Sequence, residues 1–238
     1  MKRAIPFFLA FILCLVPCFA EEGAADGRQA GLRFSSFAGG GYEYTVEASD
    51  PSVVRCETKY EYEEHAEEID GASFDFVVSF TGLKPGSTTV AVYGRSPILE
   101  NEDHLYTVTV DESLVITLAP VRALSSLFVY RSGEIYYDSY RVTLEKDGYR
   151  VSVSDGPERP FSAAAAEALM QVIDTWDVVS WDGFSDSRRY VLDGEGFWLD
   201  LALTDGTRVS ARGDNAFPAH YHDAMGDIWD ILTGRTEE

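Results

Sequence analysis

The sequence predicts a mostly β chain built as two successive units: an antiparallel β-sandwich over 32–119 and a small α+β unit over 123–238, ordered β-β-β-α-β-β-α. Three observations carry that expectation. Short runs with period-two apolar alternation, separated by turn residues, fill the first half, and no helical pattern interrupts them. Past Ala119-Pro120 an apolar repeat at i, i+3, i+4, i+7 appears in Leu169, Val172, Ile173 and Trp176. Hairpin signals centred on glycine frame the later strands, in Lys146-Asp147-Gly148 and Thr204-Asp205-Gly206.

Residues 1–20 carry a positive start, Lys2-Arg3, an apolar run over 5–16, Pro17, and a small-residue end at Ala20 before Glu21-Glu22. That is the pattern of a secretory signal peptide, so the expected location is secreted or cell-surface. The other expectation is a lipid anchor on Cys18, because Leu15-Val16-Pro17-Cys18 resembles a bacterial lipobox. Cleavage after Ala20 removes Lys2 and Arg3 and takes the formal charge from -21 to -23. It also leaves Cys56 as the single thiol, so no internal disulfide forms. Residues 21–31 are small and polar and read as a flexible leader.

Within the first unit, strands are expected over 42–47, 52–59, 74–80, 87–93, 105–110 and 114–118. Phe74, Phe76, Val78 and Phe80 share one face, as do Tyr106, Val108 and Val110. The turns Asp70-Gly71 and Leu83-Lys84-Pro85-Gly86 separate them. In the second unit, strands are expected over 127–130, 136–144, 149–153, 197–203 and 207–211. Ser162 is a natural N-cap for the helix that Ala163 to Ala166 open. A closing helix over 218–232 would bury Tyr221, Met225, Ile228, Trp229 and Leu232 along one side.

Charge excludes some partners. There are 40 acidic against 19 basic residues, and lysine occurs only at 2, 59, 84 and 146, so the chain lacks the cationic clusters that nucleic acid or an anionic membrane would require. After cleavage no apolar run is long enough to span a bilayer. Catalytic patterns are missing too: no Gly-x-Ser-x-Gly elbow and no Ser-x-x-Lys, and the expectation is a non-enzymatic protein without cofactor or metal. The acidic stretch Glu61, Glu63, Glu64, Glu67, Glu68 and Asp70, with His65 inside it, matches no calcium or zinc spacing and reads as a solvated loop. Asp182, Asp186, Asp193 and Glu195 belong to Asp-Gly turn chemistry. His220 and His222, two apart, point to different helical faces. Arg212-Gly213-Asp214 spells the integrin-recognition tripeptide and is expected in a loop after the second hairpin, with Gly213 as a turn residue. Tyr130, Tyr136, Tyr137 and Tyr140 crowd the start of the second unit and could line a recognition surface.

The stretch from Phe80 through Thr81-Gly82-Leu83-Lys84-Pro85-Gly86 to Val92 resembles bacterial immunoglobulin-like domains and the chagasin-type inhibitors of cysteine proteases. Gly41-Tyr42, Gly71-Ala72-Ser73-Phe74 and Tyr93-Gly94-Arg95-Ser96-Pro97 follow the inhibitor family in order and correspond to the three loops that family inserts into a protease cleft. The resemblance therefore implies an immunoglobulin-like sandwich and candidate binding loops carrying Gly39, Gly40, Gly41, Tyr42, Gly71, Phe74, Arg95 and Pro97. Where the family has Asn-Pro-Thr-Thr this chain has Phe37-Ala38-Gly39-Gly40, and Arg95-Ser96-Pro97-Ile98 lacks the family's tryptophan. The expected function is accordingly an exported, non-catalytic binding protein of the bacterial envelope or exterior. Its partner would be a protein or glycan outside the cytoplasmic membrane, a protease among them; the alternative is a chagasin-like cysteine-protease inhibitor. The second half resembles a domain of uncharacterised exported bacterial proteins, which implies no mechanism.

Overall fold

The structure, a computed structural model, describes residues 28–37, 42–62, 73–99, 101–133, 136–154, 156–188 and 194–235. These are mostly strand, with two α-helices among them. The first half contains β1 (Gln29–Phe37), β2 (Glu43–Ala48), β3 (Val54–Tyr62), β4 (Ser73–Gly82), β5 (Gly86–Arg95), β6 (Glu102–Val110) and β7 (Ile116–Val121). They form a three-stranded sheet ordered β1-β4-β3 and a four-stranded sheet ordered β2-β5-β6-β7, antiparallel throughout. One apolar cluster lies between the two sheets. Leu32, Phe76, Val78 and Phe80 contribute from the first sheet, Val90, Val92 and Val108 from the second. The Phe74/Phe76/Val78/Phe80 alternation is what places β4 centrally, since every second residue points into that core.

The second half contains β8 (Leu124–Gly133), β9 (Tyr136–Glu145), β10 (Gly148–Val153), β11 (Arg159–Phe161), α1 (Ala163–Thr175), a 3-10 helix (Val178–Trp181), β12 (Ser185–Ser187), β13 (Gly196–Leu203), β14 (Arg208–Asp214) and α2 (Tyr221–Thr233). Its seven-stranded sheet is ordered β11-β10-β9-β8-β13-β14-β12, with β12 parallel to β14. Both helices bury one face against one side of this sheet: Leu169 and Ile173 of α1 and Met225, Ile228 and Leu232 of α2 meet Leu127, Val129, Val142, Leu199 and Val209. Ser162 caps α1 by accepting from Ala165 N at 3.0 Å. The hairpin glycines Gly148 (φ 117°) and Gly206 (φ 89°) sit where a side chain would be strained.

The structure corrects several expectations. β1 reaches back into the segment read as leader, because Gln29, Ala30 and Gly31 pair with Thr81, Phe80 and Ser79. β7 continues to Val121, past the expected end at 119, since Leu105 pairs with Val121. The three-residue strands β11 and β12 and the 3-10 helix carry too few residues to show a period. α2 starts at Tyr221, after a turn in which His220 adopts a left-handed φ of 58°. Arg212, Gly213 and Asp214 are not in a loop: they lie within β14, paired with β13 on one side and β12 on the other. Gly213 is there because of packing, as a Cβ on it would stand 2.0 Å from Ala216 O and 2.5 Å from Phe197.

The two halves meet on the outer face of the four-stranded sheet. Ala91, Tyr93 and Leu105 project away from the sandwich core and pack on Leu144 and Tyr149 of the second half. Lys146, at the β9–β10 tip, pairs with Glu47 of β2. At the crossing of the chain, the Thr204 hydroxyl donates to Val121 O at 2.5 Å and accepts from Ala123 N at 2.9 Å. Thr204 N donates in turn to Ala123 O at 3.0 Å.

Candidate binding site

The strand register puts the strand ends that flank the candidate loops at one end of the sandwich. Phe37 pairs with Ser73, and Tyr62 with Phe74, so the β1–β2 and β3–β4 connections leave the same end of the three-stranded sheet. Glu43 pairs with Arg95, and Gly94 with Glu102, which places the β5–β6 connection at the matching end of the other sheet. Gly39, Gly40, Gly41 and Gly71 lie outside the described residues, so the flanking residues define this end.

Rings dominate those flanks. Tyr42 stacks on Tyr44 with centroids 5.7 Å apart, and Tyr44 stacks on Phe76 at 4.9 Å. Phe74 is buried, wedged between Tyr60 at 5.5 Å and Tyr62 at 6.0 Å. It is a core residue that supports the end of β3, and the exposed rings are its neighbours: Tyr60 is 40% and Tyr62 63% accessible. The Tyr60 hydroxyl accepts from Tyr44 N at 3.2 Å, tying an edge strand of one sheet to an edge strand of the other. Tyr44 donates to Glu102 Oε2 at 2.9 Å, and burial together with that carboxylate drives its phenol far above the ordinary tyrosine range.

The third connection has a built tip. Ser96 Oγ accepts from Ile98 N at 3.2 Å and Leu99 N at 3.0 Å, a serine turn that fixes the backbone beyond exposed Pro97. It presents Ile98, 71% accessible, and Leu99, 39% accessible, to solvent. The sequence pattern points to Arg95 and Pro97 in this connection and not to Ile98 and Leu99 as its exposed apolar side chains. The apolar pair next to a turn-forming serine was the signal available.

Arg95 faces the second half of the molecule. Its guanidinium pairs with Asp103, and its second terminal nitrogen donates to Leu144 O at 3.3 Å. Asp103 also accepts from Ser125 Oγ at 2.9 Å. Burial pushes the Asp103 carboxyl above the ordinary aspartate range, with Arg95 and Ser125 pulling against it. Arg95 is therefore part of the junction between the two halves.

Among the described residues no group of three or more His, Cys, Asp or Glu could hold a metal ion. His222 packs at a tilt against Phe217 at 5.0 Å and His220 against Trp176 at 5.7 Å. Cys56 is half-buried against the sandwich core, and burial raises its thiol above the usual range. No helix among the described residues is long and apolar enough to cross a membrane.

No family model matches the chain, and no curated protein matches it. Among solved structures, a cysteine protease inhibitor from Entamoeba histolytica is similar over 34% of this chain and 77% of its own, at 16% identity and a TM-score of 0.28.

Proposed function

We propose that this is an exported, non-catalytic binding protein that grips a protein or glycan partner with the loop end of its sandwich. The observation that carries the reading is the grouping there of Tyr60, Tyr62, Ile98 and Leu99. All four are large apolar side chains held accessible, by the ring stack on Phe74 in one case and by the Ser96 turn in the other. Exposed rings and aliphatic groups on a rigid support lose little entropy on binding and exclude much water, the qualities of interface anchors. Export rests on the charged start, apolar run and small-residue end of 1–20.

The test compares wild type with a Tyr62→Ser/Ile98→Ser double variant, each immobilised and probed with a glycan array and with extracellular protein fractions. Partners kept by wild type and lost by the variant, at unchanged melting temperature, are the expected result. The same partners on both proteins would remove this end from the function. Intact mass of the exported chain should show an N-terminus at Glu21; acylation at Cys18 would replace secretion with a lipid anchor.

Convergence of the three connections at one end favours a second reading, inhibition of papain-type proteases. Titration against such a protease separates the two. Nanomolar inhibition abolished by Tyr42→Ala would establish the inhibitor, whereas the Arg95 tie to Leu144 and Asp103 leads us to expect none.

A further inference from the structure

The seven-stranded sheet has a second face that no helix among the described residues covers. Ser126, Phe128 and Tyr130 of β8, Trp198 and Asp200 of β13, Ser210 and Arg212 of β14, and Arg141 of β9 alternate away from the helix-packed residues onto it, and its three rings belong to no buried cluster. Four of these side chains form a continuous ladder across four neighbouring strands. The Arg141 guanidinium lies over the Phe128 ring, 4.8 Å from its centroid. Phe128 meets Trp198 edge-on at 5.3 Å. Arg212 lies over the Trp198 ring at 4.0 Å.

Both arginines are exposed and neither makes an ion pair among the described residues. Acidic residues outnumber basic ones 40 to 19 in the chain, yet neither of these two guanidiniums is engaged by a carboxylate among the described residues. Arg33, Arg95, Arg122 and Arg150, by contrast, each hold a carboxylate, although Arg141 and Arg212 are not alone in having no carboxylate partner among the described residues. On this face Asp200 accepts from Ser210 Oγ at 2.8 Å instead of from either guanidinium. The Trp198 indole N–H beneath the ladder is buried with no acceptor among the described residues.

We propose that this open face binds an acidic polysaccharide, a surface separate from the loop end of the sandwich. Two guanidiniums stacked on rings are pre-set in the planar orientation that takes a carboxylate or sulfate through paired hydrogen bonds. They stand three strand spacings apart, roughly 14 Å, a span suited to successive charged groups along one chain of sugars. Between them the face offers the Phe128 and Trp198 rings, and around them the hydroxyls of Ser126, Ser132 and Thr143, which suit the apolar faces and hydroxyls of sugar rings. The strongly negative remainder of the protein repels polyanions, so any that bind do so at this local site and not by general charge.

Affinity electrophoresis of the full chain tests this, in gels containing polygalacturonate, neutral dextran or poly-glutamate, with Arg141→Gln, Arg212→Gln and, as a control on the far side of the sandwich, Arg55→Gln. The expected result is retardation by polygalacturonate alone, weakened at least tenfold by each of the first two substitutions and unchanged by the control. No retardation, equal retardation of all variants, or equal retardation by poly-glutamate overturns the proposal. Should a Gln variant melt early, the decision passes to Arg212→Lys, which keeps the charge and loses the planar fork. Weakened binding there supports the stacked-guanidinium site, and unchanged binding refutes it.

Discussion

Asp103 and Arg95 form an ion pair whose members live in unlike surroundings: the carboxylate is 1% exposed and the guanidinium 31%. Removing one is therefore not equivalent to removing the other. Arg95→Ala leaves a buried carboxylate with Ser125 as its remaining partner, a loss of about 3 kcal/mol at neutral pH. Asp103→Asn leaves a guanidinium that water already reaches, and should cost about 1 kcal/mol. The pH dependence follows from the raised carboxyl. A folded value above the unfolded one means that the native state binds the proton more tightly, so this group's contribution to stability falls as pH rises through the window above the ordinary aspartate value of about 4. The Arg95→Ala penalty should accordingly shrink on acidification. Thermal melts of both variants across that window check the order and the trend.

His104 titrates in the opposite sense. Its ring sits 4.9 Å from Phe34, and burial is the largest influence holding it below the ordinary histidine value, with nearby Arg208 adding to that and Glu102 and Asp103 opposing it. A depressed folded histidine lets the unfolded chain bind more protons, so stability is lost as pH falls below about 6.5. His104→Gln should flatten that decline. A slope in melting temperature that is the same in wild type and variant would mean another group carries it.

The halves can be tested as separate chains. Residues 28–122 and 123–235 each own an apolar cluster, and each should melt cooperatively. The first should be less stable than in the intact protein because cutting exposes Ala91, Tyr93 and Leu105 and strands Asp103 without Ser125. A shorter piece, 32–119, should be weaker again, having lost the Gln29, Ala30, Gly31 and Val121 ladder positions. If 28–122 is unfolded alone, the two halves share one folding unit.

Gly213 and Gly206 separate two reasons for glycine. Gly213→Ala drives a methyl group against the Ala216 carbonyl and should cost about 3 kcal/mol or more, because backbone cannot yield as a side chain does. Gly206→Ala meets open space and pays only for its positive φ, about 1 to 2 kcal/mol. Chemical denaturation of the two variants distinguishes them, and equal losses would show that neither contact matters as described.

Much of this architecture is legible in the residues. Alternation located β4 and β6 because each has one face in a core, and the 3.6-residue period located α1 because its stripe is buried on one side. β1 escaped because only Leu32 and Phe34 carry its apolar alternation, and the polar or small Gln29-Ala30-Gly31 before them extends no period although its backbone pairs fully with β4. The pairing of Asp103 with Arg95 escaped for another reason. A polar run such as Glu102-Asp103-His104 looks solvated until a second unit is laid over it, and that unit lies more than twenty residues further along. The exposed ends of β3 and the Ser96 turn were masked by their kinship with ordinary strand and turn composition. The arginine ladder was unreadable because its four members come from four strands.

The outward face of β5 has a consequence for how the sandwich can be inherited. A domain that travels between proteins has to present a finished surface wherever it is spliced in. Here Ala91 and Tyr93 are finished only by Leu144 and Tyr149, and the Thr204 clamp fixes the chain at the one angle that brings them together. Moved alone into another gene, this sandwich would carry an adhesive strip and an uncovered acid. The unit that can be shuffled is the pair, and a fusion designed around the sandwich should take residues 28–235 as its module.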